Sequence, residues 1–335
     1  MKLGVITLIR NEIDIVGSFL RHIDALFDYA LLLNHHSIDG TRSLLEQACA
    51  RRPGWTVWQV EPVGYHQTAF SQFALRHLLL HTDADVVMFL DADEFIDVAD
   101  RASLEAAFAR LTDADRVGYL RWRNIIPARL DSRTIVPGEA VWRAPTRLQL
   151  GKVVVPRPFY ARHCETVRLT AGNHAFYFEP EESVPIIDVG EILHLPIRSH
   201  EQIKGKVLAG VFSVMARAER EPLQCWHWYD ILWRIGDGTL RDDDVIGMAV
   251  HYGVPGSQTT VPVAWDDLPA RDFTPTHLGV AFGPPMSAVV DAPPSIETAR
   301  LVATVLRGFQ VEDVRGSTLA LDGNRLRFVT DEGRA

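Results

Sequence analysis

Val86-Val87-Met88-Phe89-Leu90-Asp91-Ala92-Asp93-Glu94-Phe95 is the stretch that decides the fold of this sequence. Its apolar first half predicts a strand that is buried on both faces. Because carboxylates are costly inside a core, Asp91 and Asp93 should lie at the solvent-facing end of that strand. Two aspartates at positions i and i+2 can jointly hold a divalent cation, and Mn²⁺ or Mg²⁺ would use them together with phosphate oxygens of a substrate. The competing interpretation is a plain loop in which Asp93 caps a helix.

Similar apolar runs alternate with amphipathic helical patterns on the amino-terminal side of this stretch. Strands are predicted at Leu3–Ile9, Ala30–Leu33, Trp55–Val60 and Val86–Leu90, and helices at residues 13–27, 41–52 and 69–79. This alternation predicts an α/β fold with a mostly parallel central sheet flanked by helices. Ligands of such sheets bind at the carboxyl ends of the strands, where the polar clusters of this half of the chain all lie.

The alternation weakens in the rest of the chain. Strands are predicted at Val117–Arg123, Lys152–Phe159 and Ile192–Leu195, a helix at Glu201–Arg217, and a hairpin of Ser317–Leu321 with Arg325–Val329 around Asp322-Gly323-Asn324. The pattern predicts a main domain over residues 1–235, with a nucleotide-binding half at 1–97 and an acceptor half at 98–235. Residues 236–335 are predicted to form a small C-terminal accessory region.

Composition narrows the possible partners. Of the 335 residues, 47% are hydrophobic and 23% charged, as in an ordinary globular enzyme. The formal net charge is −9 and no lysine- or arginine-rich block occurs, so nucleic acid is excluded as the main partner. The three cysteines are far apart, which predicts reduced thiols in a cytoplasmic protein. No apolar stretch reaches the about 20 residues that span a bilayer, and contact with a membrane surface is left open.

Two further polar motifs follow predicted strands. The segment Thr7-Leu8-Ile9-Arg10-Asn11-Glu12 closes the first strand, and Asn34-His35-His36-Ser37-Ile38-Asp39-Gly40-Thr41 follows the second. Both could be structural, as a cap of the first helix and as a tight turn in which Thr41 caps the second. That interpretation does not explain why the polar Asn34 ends an apolar strand.

Together the three motifs resemble those of the family 2 glycosyltransferases of the GT-A fold, in the branch whose motif reads Asp-x-Asp-Glu-Phe. The matching residues are Arg10-Asn11-Glu12, Asn34 with Ser37–Thr41, and Val87–Asp93, in the order and spacing of that family. The resemblance covers residues 1–97 and implies a GT-A fold and a UDP- or GDP-linked sugar donor. Many relatives have aspartate at the position of Asn34, so the donor base is left open.

The resemblance also implies roles for single residues. Those expected at the nucleotide sugar are Thr7, Arg10, Asn11, Glu12, Asn34, Asp39 and Asp91. The metal ion, Mn²⁺ or Mg²⁺, is expected at Asp91 and Asp93, with a late histidine, here His194, completing its shell. The alternative for a lone histidine such as His194 is a purely structural role.

Basic residues follow His194 in the sequence. Arg198, Lys204 and Lys206 lie at the start of a predicted helix, where they could meet the donor diphosphate. The alternative is solvated surface charge, which we expect for at least one of the three.

An inverting transfer requires a general base for the acceptor hydroxyl. The segment between the aspartates and His194 offers Glu139, Glu165 and His174, and their spacing does not choose among them. Lys152, in the same segment, could meet acceptor or phosphate, or could lie on a surface strand.

The sequence therefore predicts a metal-dependent glycosyltransferase of the hexosyltransferase type. It would transfer a sugar, with inversion, to a carbohydrate or glycoconjugate acceptor in polysaccharide or glycoconjugate synthesis. One alternative is a sugar-phosphate nucleotidyltransferase, which needs a glycine-rich loop after the first strand, where this chain has Leu8-Ile9-Arg10-Asn11-Glu12. The other is a non-catalytic carbohydrate-binding relative, against which Asp91, Asp93 and His194 argue.

Overall fold

The computed structural model describes residues 1–111, 115–130, 140–179, 182–219, 226–254, 261–277 and 312–330. The strands are β1 (Leu3–Ile9), β2 (Tyr29–Asn34), β3 (Trp55–Val60), β4 (Val86–Phe89), β5 (Glu94–Ile96), β6 (Val117–Pro127), β7 (Ala140–Arg143), β8 (Gly151–Pro156), β9 (Val167–Leu169), β10 (Phe176–Phe178), β11 (Glu182–Ser183), β12 (Ile186–His194), β13 (Thr274–His277), β14 (Ser317–Asp322) and β15 (Arg325–Thr330). The helices are α1 (Val16–Leu26), α2 (Thr41–Arg51), α3 (Gln67–His81), α4 (Arg101–Phe108), α5 (Arg157–His163), α6 (His200–Met215), α7 (Trp226–Gly236) and α8 (Asp242–His251).

One large sheet forms the centre of the molecule. Its main path runs β13-β7-β6-β8-β4-β1-β2-β3-β15-β14, and β12 pairs with both β5 and β6. Strands β1 to β4 are mutually parallel. Strand β8 is antiparallel to β4 and to β6, so β6 and its parallel partner β12 run in the same direction as β4. The carboxyl ends of β1, β2, β4 and β12 therefore meet at one edge.

Helices cover both faces of this sheet. Phe19 of α1 and Leu45 of α2 pack with one set of strand residues, which includes Val5. Phe70 of α3 packs with the opposite set, which includes Ile6. The alternation of Val5 and Ile6 between the two cores follows from the two-residue period of a strand. The predicted α/β architecture, a central sheet flanked by helices, is confirmed.

Most predicted elements are confirmed, but some bounds differ. Strand β12 begins at Ile186 and not at Ile192, and β6 extends past Arg123 to Pro127. The run Lys152–Phe159 does not form one strand, because β8 ends at Pro156 and α5 begins at Arg157. The Arg157 guanidinium donates to three carbonyl oxygens at the end of α3 and in the loop after it, which holds the turn in place. Thr41 is the first residue of α2 and not its cap, since Gly40 precedes it with a φ of 96°.

The C-terminal part of the chain packs directly on the rest. Val245 and Ile246 of α8 share a core with Ile203 and Val207 of α6, so core contacts cross the boundary predicted at residue 235. The predicted hairpin is confirmed as β14 and β15. It joins the main sheet, with β15 parallel to β3. Within the described ranges, no helix is both long and apolar enough to cross a membrane.

Candidate functional site

Strand pairing brings the aspartate motif beside His194. Strand β5 follows Asp93 directly and pairs antiparallel with β12, which places Glu94 opposite His194. The Leu195 amide extends the pairing by donating to the carbonyl of Asp93 at 2.8 Å. The aspartate motif and the end of β12 are about a hundred residues apart in sequence. They lie side by side at the carboxyl ends of the parallel strands, where they form one wall of the site.

Asp93 is buried among positive charges. Its Oδ2 lies 2.9 Å from Nζ of Lys206 on α6 and 3.8 Å from Nη1 of Arg198. Burial alone would raise the pKa of Asp93, but the positive charges of Lys206 and Arg198 outweigh it and hold the pKa well below the usual range. Asp93 is therefore an anion with cations already in contact.

Asp91 has a lysine of its own. Nζ of Lys152, on β8, donates to Asp91 Oδ2 at 2.7 Å and to the carbonyl of Gly172 at 2.8 Å. Glu94 Oε1 lies 3.5 Å from the same ammonium. Lys152 is 0% exposed, which excludes the surface position considered for it from the sequence. A buried ammonium needs such partners, because an unpaired one is strongly destabilising.

Arg198 connects this wall to the exit of β1. It is 1% exposed. Its Nε and Nη2 donate to the two carboxylate oxygens of Asp14 at 2.6 and 3.0 Å, and Nη2 also donates to Glu12. The fork of a guanidinium matches a carboxylate in this way, and the contact fixes β12 and α6 against the first loop. Arg198 and Glu12, both predicted at the nucleotide sugar, are thus bonded to each other.

The loops after β1 and β2 are hydrogen-bonded to one another. The side-chain oxygen of Asn11 accepts from the backbone amide of Ile38 at 2.9 Å, and the backbone amide of Asn11 donates to the hydroxyl of Ser37 at 3.1 Å. Asp39 accepts from the amides of Thr41 and Ile13 at 3.0 and 3.1 Å. The side chains of Asn11 and Asp39, predicted to face the donor, therefore hold the two loops together.

Polar side chains near the ends of β1 and β2 retain bonding capacity. Asn34 Nδ2 donates to Gln59 Oε1 at 2.7 Å. Asn34 Oδ1 and Thr7 Oγ1 are buried and have no hydrogen-bond partner among the described residues. Arg10 donates to Ser213 on α6, and burial lowers its pKa to about 10. Buried polar atoms without partners are uncommon, so Asn34 and Thr7 are suited to receive a ligand.

Aromatic rings pack against His194 in this wall. Trp122 stacks on His194 with centroids 4.2 Å apart and meets His174 edge-on at 4.9 Å. Tyr252, which follows α8, meets His194 at 5.1 Å, and Lys206 Nζ lies 5.6 Å from the centre of its ring. Burial lowers the pKa of His194 to about 3, although the charge of Asp93 opposes this, so the imidazole is neutral.

The three predicted bases occupy different places. His174 lies at the wall, with Nδ1 2.7 Å from the carbonyl of Gly151, so Nδ1 carries the proton and Nε2 is the acceptor. Glu165 is exposed and follows α5. This helix begins at Arg157, whose backbone amide donates to the carbonyl of Asp85 just before β4, at the opposite end of the parallel strands. Glu139 lies outside the described residues.

The predicted metal ligands Asp91, Asp93 and His194 do not form one cluster among the described residues. In the described part of the chain, no three His, Cys, Asp or Glu side chains are grouped so that they could hold one metal. Asp91 and Asp93 each contact a lysine ammonium, and His194 has Nδ1 3.4 Å from Asn124 Oδ1. The donor set found at the two aspartates is thus oxygen paired with ammonium, which does not fit a divalent cation.

Lys204 lies away from the wall. It pairs with Glu201 at 3.0 Å on the partly exposed side of α6, which matches the surface alternative considered for it. Residues that sequence reasoning missed are Asp14, Trp122 and Tyr252. An acidic residue close to the Asn-Glu pair was the available signal for Asp14, whereas no pattern linked the aromatic residues to the aspartates.

Comparisons with known proteins give weak likenesses. No protein-family model and no curated protein matches the chain. Solved structures that resemble it include S. aureus TarS 1–349, at 12% identity and a TM-score of 0.33 over 100% of this chain and 98% of that one. TarS 1–349 in complex with UDP resembles it at 13% identity and a TM-score of 0.32, with the same coverage. The mannosyltransferase PcManGT from Pyrobaculum calidifontis, in complex with GDP-Man and Mn²⁺, does so at 13% identity and a TM-score of 0.38, over 93% and 88%.

Proposed function

We propose that this site transfers a sugar, of the hexosyl type, from a nucleotide-diphospho-sugar to an acceptor hydroxyl. The observation that carries the proposal is the meeting of Asp91 and Asp93 with His194 and Lys206 at the carboxyl edge of parallel strands. Such edges are where α/β sheets bind their ligands. The motifs that resemble those of family 2 glycosyltransferases end at this same edge.

The donor would lie along this edge. Its diphosphate is anionic and requires a cation, which Lys206 would supply, while the buried Lys152 neutralises Asp91. The nucleoside would extend toward the end of β2, where Asn34 Oδ1 and Thr7 Oγ1 have no hydrogen-bond partner within the described part of the chain. A hydrogen bond from a UDP- or GDP-linked donor would satisfy these atoms and remove the cost of leaving them unpaired.

The Mn²⁺ or Mg²⁺ predicted at Asp91, Asp93 and His194 stays a prediction. The proposed steps do not pass through a metal ion, because these three side chains are not grouped around one position in the described arrangement.

His174 is the base that fits an inverting transfer. Its Nε2 would take the proton of the acceptor hydroxyl while that oxygen bonds the anomeric carbon, as the bond from this carbon to the diphosphate breaks. Burial, with Lys152 adding to it, lowers the pKa of His174 to about 4, so the ring is unprotonated at neutral pH. Attack from the side opposite the leaving diphosphate inverts the anomeric carbon.

Thermal shift with a panel of UDP- and GDP-sugars tests the donor site, followed by a transfer assay with sugar acceptors. At a donor concentration of 100 times Kd, stabilisation is about 2.7 kcal/mol, and an unfolding entropy of about 0.7 kcal/mol/K converts this to about 4 °C. We expect this shift in wild type with one donor class and a much smaller shift in Asp93→Asn, because Lys206 loses the carboxylate that holds it in place.

The matched control is Asp24→Asn, since Asp24 pairs with Arg52 on the surface. It should respond like wild type, and unfolding of each variant without ligand verifies that it is folded. If no donor shifts wild type, or if Asp93→Asn responds equally, the donor site is wrong. Pyrophosphate release from a nucleoside triphosphate and a sugar phosphate would instead support the nucleotidyltransferase.

A further inference from the structure

Each aspartate of the motif is paired with a lysine from a different part of the fold. Lys152, on β8, contacts Asp91 at 2.7 Å, and Lys206, on α6, contacts Asp93 at 2.9 Å. The two ammonium groups lie against the carboxylate oxygens that would otherwise bind a divalent cation. A cation held between Asp91 and Asp93 would therefore face two positive charges at short range.

Lys152 is fixed in its place. It is completely buried, it donates to the carbonyl of Gly172 at 2.8 Å, and its ammonium lies 5.6 Å from the centre of the Trp122 ring. Moving it away from Asp91 and Glu94 would leave a buried charge without its partners, which is strongly unfavourable. Lys152 is thus a permanent positive charge behind the motif.

Lys206 is placed to meet a ligand. Its side chain is 22% exposed, whereas that of Asp93 is only 5% exposed. Within the described ranges it also donates a 3.3 Å hydrogen bond to the carbonyl of Pro196 and lies over the face of Tyr252. Arg198 lies 3.8 Å from Asp93 and would stay beside this carboxylate if Lys206 bonded a phosphate oxygen.

His194 is also occupied by other contacts. It is 2% exposed, its ring stacks on Trp122, and its Nδ1 lies near Asn124. These contacts describe a side chain that supports the wall of the site.

We propose that the ammonium groups of Lys206 and Lys152 take the place of a divalent cation here, and that the donor diphosphate binds without metal. Lys206 bonds the phosphate oxygens, and Lys152 keeps Asp91 neutralised behind it. This inference rests on the proposed function, because it concerns how the same site holds a nucleoside diphosphate.

Binding of UDP and of GDP, measured by calorimetry, tests the proposal. Wild type is titrated in metal-free buffer with EDTA and again with Mn²⁺, and Mn²⁺ alone is titrated into the protein. We expect one nucleotide to bind with affinities that agree within about twofold in the two buffers, since no metal bridge contributes. We also expect no saturable binding of Mn²⁺ alone.

Substitutions on α6 test whether Lys206 is the cation that binds the phosphate. Lys206→Met should weaken nucleotide binding in EDTA by about tenfold or more, because a charge-assisted hydrogen bond is lost, and Lys206→Arg should recover part of it. Lys204→Met is the matched control on the same helix and should bind like wild type, since Lys204 pairs only with Glu201 among its described contacts. Thermal unfolding of each variant verifies that it is folded.

The opposite results would contradict metal-free binding, the role of Lys206, or the proposed function. A requirement for Mn²⁺, or saturable binding of Mn²⁺ alone, overturns binding without metal. Unchanged affinity in Lys206→Met, or an equal loss in Lys204→Met, overturns the role of Lys206. If neither nucleotide binds wild type in either buffer, the proposed function itself fails, and this result is distinct from the others.

Discussion

Replacing Arg198 with methionine is expected to lower the free energy of unfolding by about 3–5 kcal/mol, the range for removal of one partner from a buried ion pair. Arg198 is 1% exposed, and its guanidinium is shared by Asp14 and Glu12. It also lies 3.8 Å from Asp93. Methionine preserves most of the apolar stem but leaves these carboxylates without the guanidinium, and their partial burial limits the water that can replace it.

The expected change in melting temperature follows from chain length. For 335 residues at about 2.1 cal/mol/K each, the entropy of unfolding is about 0.7 kcal/mol/K, so the loss lowers Tm by about 4–7 °C. Calorimetry measures this shift, and urea denaturation followed by tryptophan fluorescence measures the free energy independently.

Arg42→Met is the matched control. Arg42 pairs with Glu46 at 2.7 Å on α2, and both side chains are largely exposed, so its removal should cost less than about 1 kcal/mol. A stabilising buried ion pair at Arg198 is refuted if Arg198→Met melts within about 1 °C of wild type, or if the two variants lose the same stability.

Other parts of the structure give three further predictions. His174→Asn keeps an N–H group that can bond the carbonyl of Gly151 but removes Nε2. The kcat should therefore fall by about 10²–10⁴ while the affinity for the nucleotide sugar is unchanged. A normal kcat would eliminate His174 as the base. Asp39→Ala removes the hydrogen bond from the Ile13 amide, which joins the two loops, and the bond from the Thr41 amide within the second loop. It should cost about 1–3 kcal/mol in urea denaturation, whereas a cost below about 0.5 kcal/mol would contradict the bonding described. Burial would raise the pKa of Glu312, but the hydrogen bonds from His66 and from two backbone amides outweigh it and lower the pKa. Glu312→Gln should therefore lose its full amount of stability above about pH 5. This loss should disappear as the pH falls through the lowered pKa. A difference that grows toward acid pH would contradict the last of these.

The sequence was most informative where local physics determines structure. The bounds of β1 and β3 agree with prediction because continuous apolar runs between polar residues allow little else. The hairpin agrees because Gly323 and Asn324 form a short turn between two alternating strands. Arg157 and Pro158 misled the interpretation, since proline is also favourable in the first turn of a helix, and α5 begins there.

The site was harder to predict because its contacts are long-range. Lys204 and Lys206 are two residues apart, which turns their side chains about 200° apart on a helix. Only the packing of α6 decides that Lys206 faces Asp93. Tyr252 reaches the site because α8 packs on α6, and no motif near Asp91 indicates this. The bonding between the loops of Asn11 and Asp39 likewise appears only when β1 and β2 are placed side by side.

The attachment of β15 beside β3 has a consequence for dissecting this protein. A chain ended at residue 235, the boundary expected from the sequence, would remove the strand that pairs with the end of β3 at Gln59 and Val60. Leu326, fully buried in the described fold, would no longer cover the core beneath that strand. Such a fragment would tend to pair with itself and precipitate. The hairpin of β14 and β15 therefore shields the end of β3 and the core beneath it.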